Sequence, residues 1–363
     1  MVQRSPLHKI HEKLGAKFTV FMGNEMPLYF TSIKDEHLTV RKAVGLFDVS
    51  HMCNVMVKGK DAEKLMSIAT VENASRIPEF MSQYTVILRE DGTIIDDAIF
   101  YHLPDGYLLI PNAGMGKVVA NWLNEKAREH GLDAKAQDLS RDYVILAIQG
   151  PRSREVLQEL TDIDLSSLKL FEFTIAKVNG VDCILSRTGY TGELGYELQI
   201  TPPQNAIKLF ERILEVGKDH GIKPIGLGAR DTLRLEKCFV LACNEFEGGR
   251  TPLEAGLAFT INWDHDFIGK EALLRQKEKG DYERLTCLKC IEKGVPRHGC
   301  KVEKESKVVG KVSSGTLSPS LNVGIALAYM KPEYRSIGEV VDIVIREKRV
   351  KAEVVKPPFV KKG

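Results

Sequence analysis

The sequence predicts an α+β protein that ends in a small antiparallel β-barrel or jelly-roll-like domain, and three observations carry that prediction. Before Gly280, β-rich runs and helical stretches are segregated rather than strictly alternating. Residues 205–220 set Ile207, Leu209, Phe210, Ile213, Leu214 and Val216 at helical spacing, so this stretch is a helix with one buried face. Beyond Gly280, charged turns separate short β runs at 285–291, 307–313, 325–329, 340–345 and 349–355, the texture of a small barrel or sandwich.

From the N-terminus, 5–14 reads as a short helix with Leu7, Ile10, His11 and Leu14 on one side and Gly15 at its end. Residues 18–21 are strand-like, and Gly23-Asn24-Glu25-Met26-Pro27 is a loop. A helix over 33–44, closed by Gly45, leads into Leu46-Phe47-Asp48-Val49-Ser50-His51-Met52, read as a buried strand with Asp48 or Ser50 capping the next turn. Residues 54–58 form a strand, and 61–68 a helix after Gly59. The runs 84–88 and 94–101 flank Glu90-Asp91-Gly92 and predict a hairpin, followed by a strand at 107–111 and a helix at 114–130. Asn112, directly after Leu108-Leu109-Ile110-Pro111, either lines a site or caps that helix. Residues 143–148 are a buried strand ending in Gln149-Gly150-Pro151, with a helix at 153–160.

Three places carry chemistry. Alternation along 94–101 puts Ile95, Asp97, Ile99 and Tyr101 on one face and Ile94, Asp96, Ala98 and Phe100 on the other. Neither aspartate has a polar face of its own, so either the strand lies at a sheet edge or a carboxylate faces a polar cavity. The segment Arg187-Thr188-Gly189-Tyr190-Thr191-Gly192-Glu193-Leu194-Gly195-Tyr196-Glu197 combines three glycines in seven positions with an arginine, two tyrosines and two glutamates. It lacks the lysine–hydroxyl ending of a nucleotide loop. Gly226-Leu227-Gly228-Ala229-Arg230-Asp231 opens a further helix, and Arg230 in its first turn opposes the helix dipole and invites an anionic partner.

Composition narrows the function. Fifty-one basic residues against 49 acidic ones give a formal charge of +2, which supplies no pull toward nucleic acid or an anionic membrane. No run of about 18 apolar residues is present to span a bilayer, nor an apolar signal-peptide core near the start. Seven scattered cysteines fit a reducing compartment, and the cytoplasm is expected. Cys287 and Cys290, three apart in a strand, point to opposite faces, so no metal is expected there. The length of 363 residues suggests roughly two or three domains.

Several motifs in order resemble the glycine cleavage system T-protein family: Glu25-Met26-Pro27, residues 45–52, Gly92-Thr93-Ile94-Ile95-Asp96-Asp97, Gln149-Gly150-Pro151, residues 187–197, residues 226–236, Thr251-Pro252-Leu253-Glu254-Ala255-Gly256-Leu257 and Ser314-Gly315-Thr316-Leu317-Ser318-Pro319. The resemblance implies a three-domain cloverleaf around a central folate channel. Its first domain takes 1–50 with about 137–230, its second about 51–136 with 231–278, and its barrel 279–363. It implies an aminomethyltransferase that passes the one-carbon unit of a lipoyl-bound aminomethyl group on the H-protein to tetrahydrofolate. Ammonia and methylenetetrahydrofolate are the products, and no metal is used. By motif matching, the catalytic aspartate is Asp97, the pterin-binding glutamate Glu197 and the site arginine Arg230. Tyr84, Asn112 and Tyr190 match channel-lining positions, and Met52 lies in the matching Ser-His-Met segment.

The chain departs from the family pattern at Val20, Asn24, Cys53, Ala242 and Phe259, where changed side chains would alter stacking and volume in the cavity. Two alternatives therefore stand beside the first reading. One is a folate- or pterin-dependent demethylase acting on a free methylated amine, sulfonium or ether. The other is a non-catalytic folate-binding member of the superfamily.

Overall fold

A computed structural model describes residues 2–361. It divides into two compact units: residues up to Thr85 together with Asp96–Arg230, and Val86–Ile95 together with the chain from Asp231 on.

The first unit contains a six-stranded sheet in the order Phe173–Val178, Val181–Ser186, Gly195–Ile200, Val144–Gln149, Val44–Asp48, Ile222–Ile225. All neighbours are antiparallel except the last pair. The helix Asn205–Val216 lays Leu209, Phe210 and Ile213 against Leu46, Leu146, Ile148 and Leu198 of this sheet, so its apolar stripe is core as its spacing requires. Val44–Asp48, between Val144–Gln149 and the edge strand Ile222–Ile225, is buried at every residue. Gly45 belongs to this strand and does not close the preceding helix, which runs Ile33–Lys42 from a Ser32 cap. The glycine is needed because a Cβ there would meet Ile225 and Val40 side-chain carbons at 2.5 and 2.6 Å.

The N-terminal helix, His8–Lys13, is shorter than its apolar spacing suggests, and Gly15 follows it at φ +79°. Asp48 pins it: its carboxylate accepts from Ser5 Oγ at 2.6 Å and pairs with His11 Nε2 at 2.9 Å. It also accepts from Ser50 N at 3.0 Å, which is the local turn cap read from the sequence. Burial alone would raise the pKa of Asp48; the bonds from His11, Ser5 and Ser50 outweigh it and hold the group below its ordinary value. The expected loop after Phe21 is instead a tight hairpin. Met22 and Gly23 both take positive φ, and Lys17–Phe21 pairs with Asn24–Tyr29. Pro27 is tolerated in that strand beside a register shift at Lys17/Phe18.

A five-stranded sheet runs Ser82–Leu88, Ile94–Leu103, Gly106–Pro111, Val55–Lys58, Lys135–Asp138. The tip of its first hairpin, residues 86–95, counts with the second unit. At that tip Gly92 takes φ +82° and Asp91 accepts from Thr93 N, the turn chemistry its sequence signals.

In the second unit the C-terminal runs close into a six-stranded barrel: Arg284–Cys290, Gly324–Met330, Lys307–Leu317, Lys301–Lys304, Val340–Ile345, Lys348–Val355. Closure pairs every edge, which a sandwich would leave open. Leu288, Val302, Val312, Ala326, Ala328, Ile343 and Ala352 fill its interior. Cys290 joins that interior, whereas Cys287 faces the other way toward Leu235 and Cys238, as strand alternation requires. Arg234, buried in the later half of the helix Leu227–Glu236, bonds Asp231, Phe239 O, Glu245 and Ser314 Oγ. The turn at 318–320 also ends on Glu236, which accepts from the Ser318 and Ser320 hydroxyls. No helix among the described residues is long and apolar enough to cross a membrane.

Candidate active site

Strand alternation sends the two aspartates into different surroundings. Asp96 is 1% exposed, whereas Asp97 is half-buried. Asn112 holds both. Its backbone N–H donates to Asp96 Oδ2 at 2.9 Å, and its side-chain amide donates to Asp96 Oδ1 at 2.8 Å and Asp97 Oδ1 at 2.7 Å. The same Nδ2 lies 3.1 Å from Asp97 O, so two hydrogens serve three acceptors. Asn112 is thus not a helix cap; Met115 occupies the N-cap of Gly116–Glu129 without a side-chain cap bond. The pairing Ala98 with Pro111 is what brings the amide beside the aspartates. Tyr84 donates its hydroxyl to Asp97 Oδ2 at 2.6 Å. Asp97 is therefore a carboxylate fixed at both oxygens by short bonds.

Burial, and then the neighbouring Asp97 charge, push Asp96 up to about 8, against the pull of the Asn112 donors. The sign of the stability effect follows. Between about pH 4 and 8 the folded chain keeps a proton on Asp96 that the unfolded chain has lost, so stability falls as pH rises through that window, by up to about 1.4 kcal/mol per unit. Urea midpoints measured across this range should show a flatter slope in Asp97→Asn, which removes the neighbouring charge. Equal slopes in the two proteins would mean that this charge does not hold the proton.

The glycine-bearing loop is built around Gln149. Its amide nitrogen donates to Thr188 O at 3.1 Å, and its oxygen accepts from Thr191 Oγ1 at 2.9 Å. A Cβ at Gly189 or Gly195 would sit 2.0 or 2.3 Å from the Gln149 side chain, so both glycines leave the volume that this amide fills. Arg41 fastens the far side by donating to Thr191 O and Glu193 Oε1, and Arg187 donates to Leu168 O. Those charges of the loop serve its own shape. Tyr190 and Glu197 instead join the site.

Arg230 stacks its guanidinium 4.6 Å above the Tyr190 ring. Burial works against its charge, while Tyr190 and Glu197 favour it. The start of its helix is set by Glu36, a buried carboxylate that accepts from Phe30 N, Thr31 N and Gly226 N at 2.6, 2.9 and 2.8 Å. Gly226 and Gly228 allow this close seat: a Cβ at Gly226 would meet the Leu28 backbone at 2.4 Å. Burial raises the pKa of Glu197, opposed by a hydrogen bond from Thr188 and by the Arg230 charge. Tyr84 is likewise raised by burial first and then by Asp97, with a smaller contribution from Tyr190.

Tyr84, Asp97 and Asn112 therefore lie beside Tyr190, Arg230 and Glu197 in one unit. Met52 is tied to this group through its chain neighbour His51. Burial, followed by the Arg230 charge, pushes His51 down to about 3, so its ring is neutral. All seven residues singled out by the sequence are half-buried. The structure adds His51, Thr188 and Gln149, which stand within the matched segments 45–52, 187–197 and 149–151 but are not singled out there as site residues. Of the positions departing from the family pattern, Val20 and Phe259 stand 58% and 77% exposed, and Cys53 is buried. Among the described residues, no group of three or more His, Cys, Asp or Glu gathers as a metal requires.

Known proteins resemble the chain throughout. The GCVT N-terminal domain matches residues 7–265, and the glycine cleavage T-protein C-terminal barrel domain matches 283–361. The aminomethyltransferase of Desulfitobacterium hafniense is 42% identical over 363 residues, 99% of each chain. That of Caldanaerobacter subterraneus is 43% identical over 365 residues, covering 100% of this chain and 97% of its own. The crystal structure of glycine cleavage system aminomethyltransferase T from Bartonella henselae superposes with a TM-score of 0.92 at 31% identity, covering 100% of this chain and 99% of that one. With its fold, its barrel and most of its length matched, the chain belongs to the glycine cleavage T-protein family.

Proposed function

We propose that the chain takes an aminomethyl group from the lipoyl arm of an H-protein and delivers its carbon to tetrahydrofolate, releasing ammonia. The enzyme class is that of its relatives, an aminomethyltransferase. The observation that carries the finer reading is the doubly anchored Asp97 carboxylate beside Tyr190, Arg230 and Glu197.

The residues fit a pterin. His51 Nδ1 is a buried polar atom with no protein partner, and Tyr190 and Arg230 form a flat stacked surface beside it. Tetrahydrofolate, when bound, supplies the nitrogen that receives the carbon. The protein's part is electrostatic and positional. Tyr84 and Asn112 keep Asp97 from rotating, so its charge needs no reorganisation when positive charge develops on the carbon being transferred. Glu197 accepts from the N–H edge of the pterin, and Arg230 meets a carbonyl or acidic group. Met52 offers a polarisable wall next to His51. No protein nucleophile is required, because one folate nitrogen bonds the carbon as the lipoyl sulfur leaves and the second closes the methylene bridge as ammonia leaves. All seven cysteines are free, and we place the enzyme in the reducing cytoplasm.

The test is the rate of methylenetetrahydrofolate formation with tetrahydrofolate and aminomethyl-loaded, lipoylated H-protein. A rate that requires both substrates is expected. No rate, from folded protein that binds tetrahydrofolate, would overturn the donor and point to a demethylase.

A further inference from the structure

Behind Glu197 lies a row of buried hydroxyls that the transfer chemistry does not use. Tyr101 OH is 3.1 Å from Ser186 Oγ, Ser186 Oγ is 2.7 Å from Thr188 Oγ1, and Thr188 Oγ1 donates to Glu197 Oε2. All three hydroxyl residues are buried. Strand pairing builds the row, because Ser186 lies opposite Glu197 and Thr188 follows two residues on.

Proton count gives the row a direction. A carboxylate only accepts, so the single Thr188 proton goes to Glu197. Thr188 then accepts from Ser186, and Ser186 from Tyr101. In that order every donor of the row meets an acceptor, and Ser186 Oγ also lies 3.4 Å from Glu197 O. If Glu197 were protonated toward Thr188, the Thr188 hydroxyl would have to turn its proton away from the carboxyl.

We propose that Thr188 is a positioning residue whose hydroxyl orients Glu197 and keeps it an acceptor for the N–H edge of the pterin. The inference rests on the reading of Glu197 given above. The groups facing Glu197 are Tyr101, Ser186 and Thr188 on the hydroxyl side, with Arg230 as the facing positive charge. Burial raises the pKa of Glu197, and the Thr188 bond is the larger of the two effects opposing that rise. Removing the bond therefore moves protonation of Glu197 to higher pH and misaims its second oxygen.

The experiment measures tetrahydrofolate affinity of the full-length protein by anaerobic calorimetry against pH, together with KM and kcat. For Thr188→Val, the dissociation constant and the KM for tetrahydrofolate should rise about 10- to 100-fold, the range for a lost bond to a charged group. The acid limb of binding should move up by about one pH unit. kcat should change much less than KM, and Thr188→Ser should recover most of the loss. Ser186→Ala, which breaks the row one step further back, should shift the limb the same way by a smaller amount, and serves if Thr188→Val does not fold. Wild-type affinity and acid limb in Thr188→Val, or a Ser variant as impaired as Val, would overturn the proposal. Glu197→Gln separates the two failures. If that variant binds tetrahydrofolate as well as wild type, the Glu197 reading falls and takes this one with it. If it binds weakly while Thr188→Val binds normally, only the present inference fails.

Discussion

Asp97→Asn should lower kcat for methylenetetrahydrofolate formation by about 10²- to 10³-fold, the usual cost of removing one preorganised electrostatic contact to a transition state. The substitution keeps shape and volume. Its amide can still accept from Tyr84 or Asn112, though not from both as the carboxylate does. What is lost is a fixed negative charge. The deficit should therefore fall on kcat, with tetrahydrofolate KM within a few-fold of wild type. Circular dichroism and tetrahydrofolate binding establish that the variant is folded, and single-turnover kinetics with loaded H-protein measure the transfer step. A variant that turns over at the wild-type rate would remove Asp97 from the mechanism.

Arg234→Ala should destabilise the protein by about 3–5 kcal/mol, the cost of leaving a buried charge without its partner. Arg234 and Glu245 meet at 3.1 Å with both side chains shut away from solvent. Glu245 Oε2 also accepts from Leu241 N, while its Oε1 has no partner, so little remains to hold the charge once the guanidinium is gone. Ser314, at the bulge in Lys307–Leu317, loses the arginine bond at the same time. Urea unfolding followed by fluorescence reads the change. Arg234→Met combined with Glu245→Leu should recover a large part of it, because two apolar side chains replace two desolvated charges. A single variant as stable as wild type would show that the pair is not the tie it is taken to be.

Periodicity made some of this fold legible and geometry hid the rest. The Asn205–Val216 stripe and the hairpin around Gly92 are local patterns, and a period of 3.6 or 2 reports them directly. Lys135–Asp138 and Lys301–Lys304 carry one fully buried residue each, Ala136 and Val302. Their strand character comes from ladder partners, not from their own composition. Asn112 shows the same limit at the site. Its neighbourhood in sequence suits a helix cap as well as a site residue, and only the register of Ile94–Leu103 against Gly106–Pro111 sets it beside the aspartates. Family motifs point to Asp97, Glu197 and Arg230. Thr188 reads in sequence as one more small polar residue in a glycine-rich loop, because its partners Ser186 and Tyr101 are assigned by folding.

Gln149 carries a consequence for how this loop can change over generations. The volume above its amide is shared property: Gly189 and Gly195 are bare because Gln149 is large. A side chain added at 189 is therefore a two-step path, in which the first step collides unless position 149 has already shrunk. Shrinking 149 in turn abandons the Thr188 carbonyl and the Thr191 hydroxyl that the amide serves. The three positions, scattered along the chain, are thus coupled by volume, and a change at one is accommodated only with a change at another. That coupling holds the loop of Tyr190 and its entry into the strand that carries Glu197.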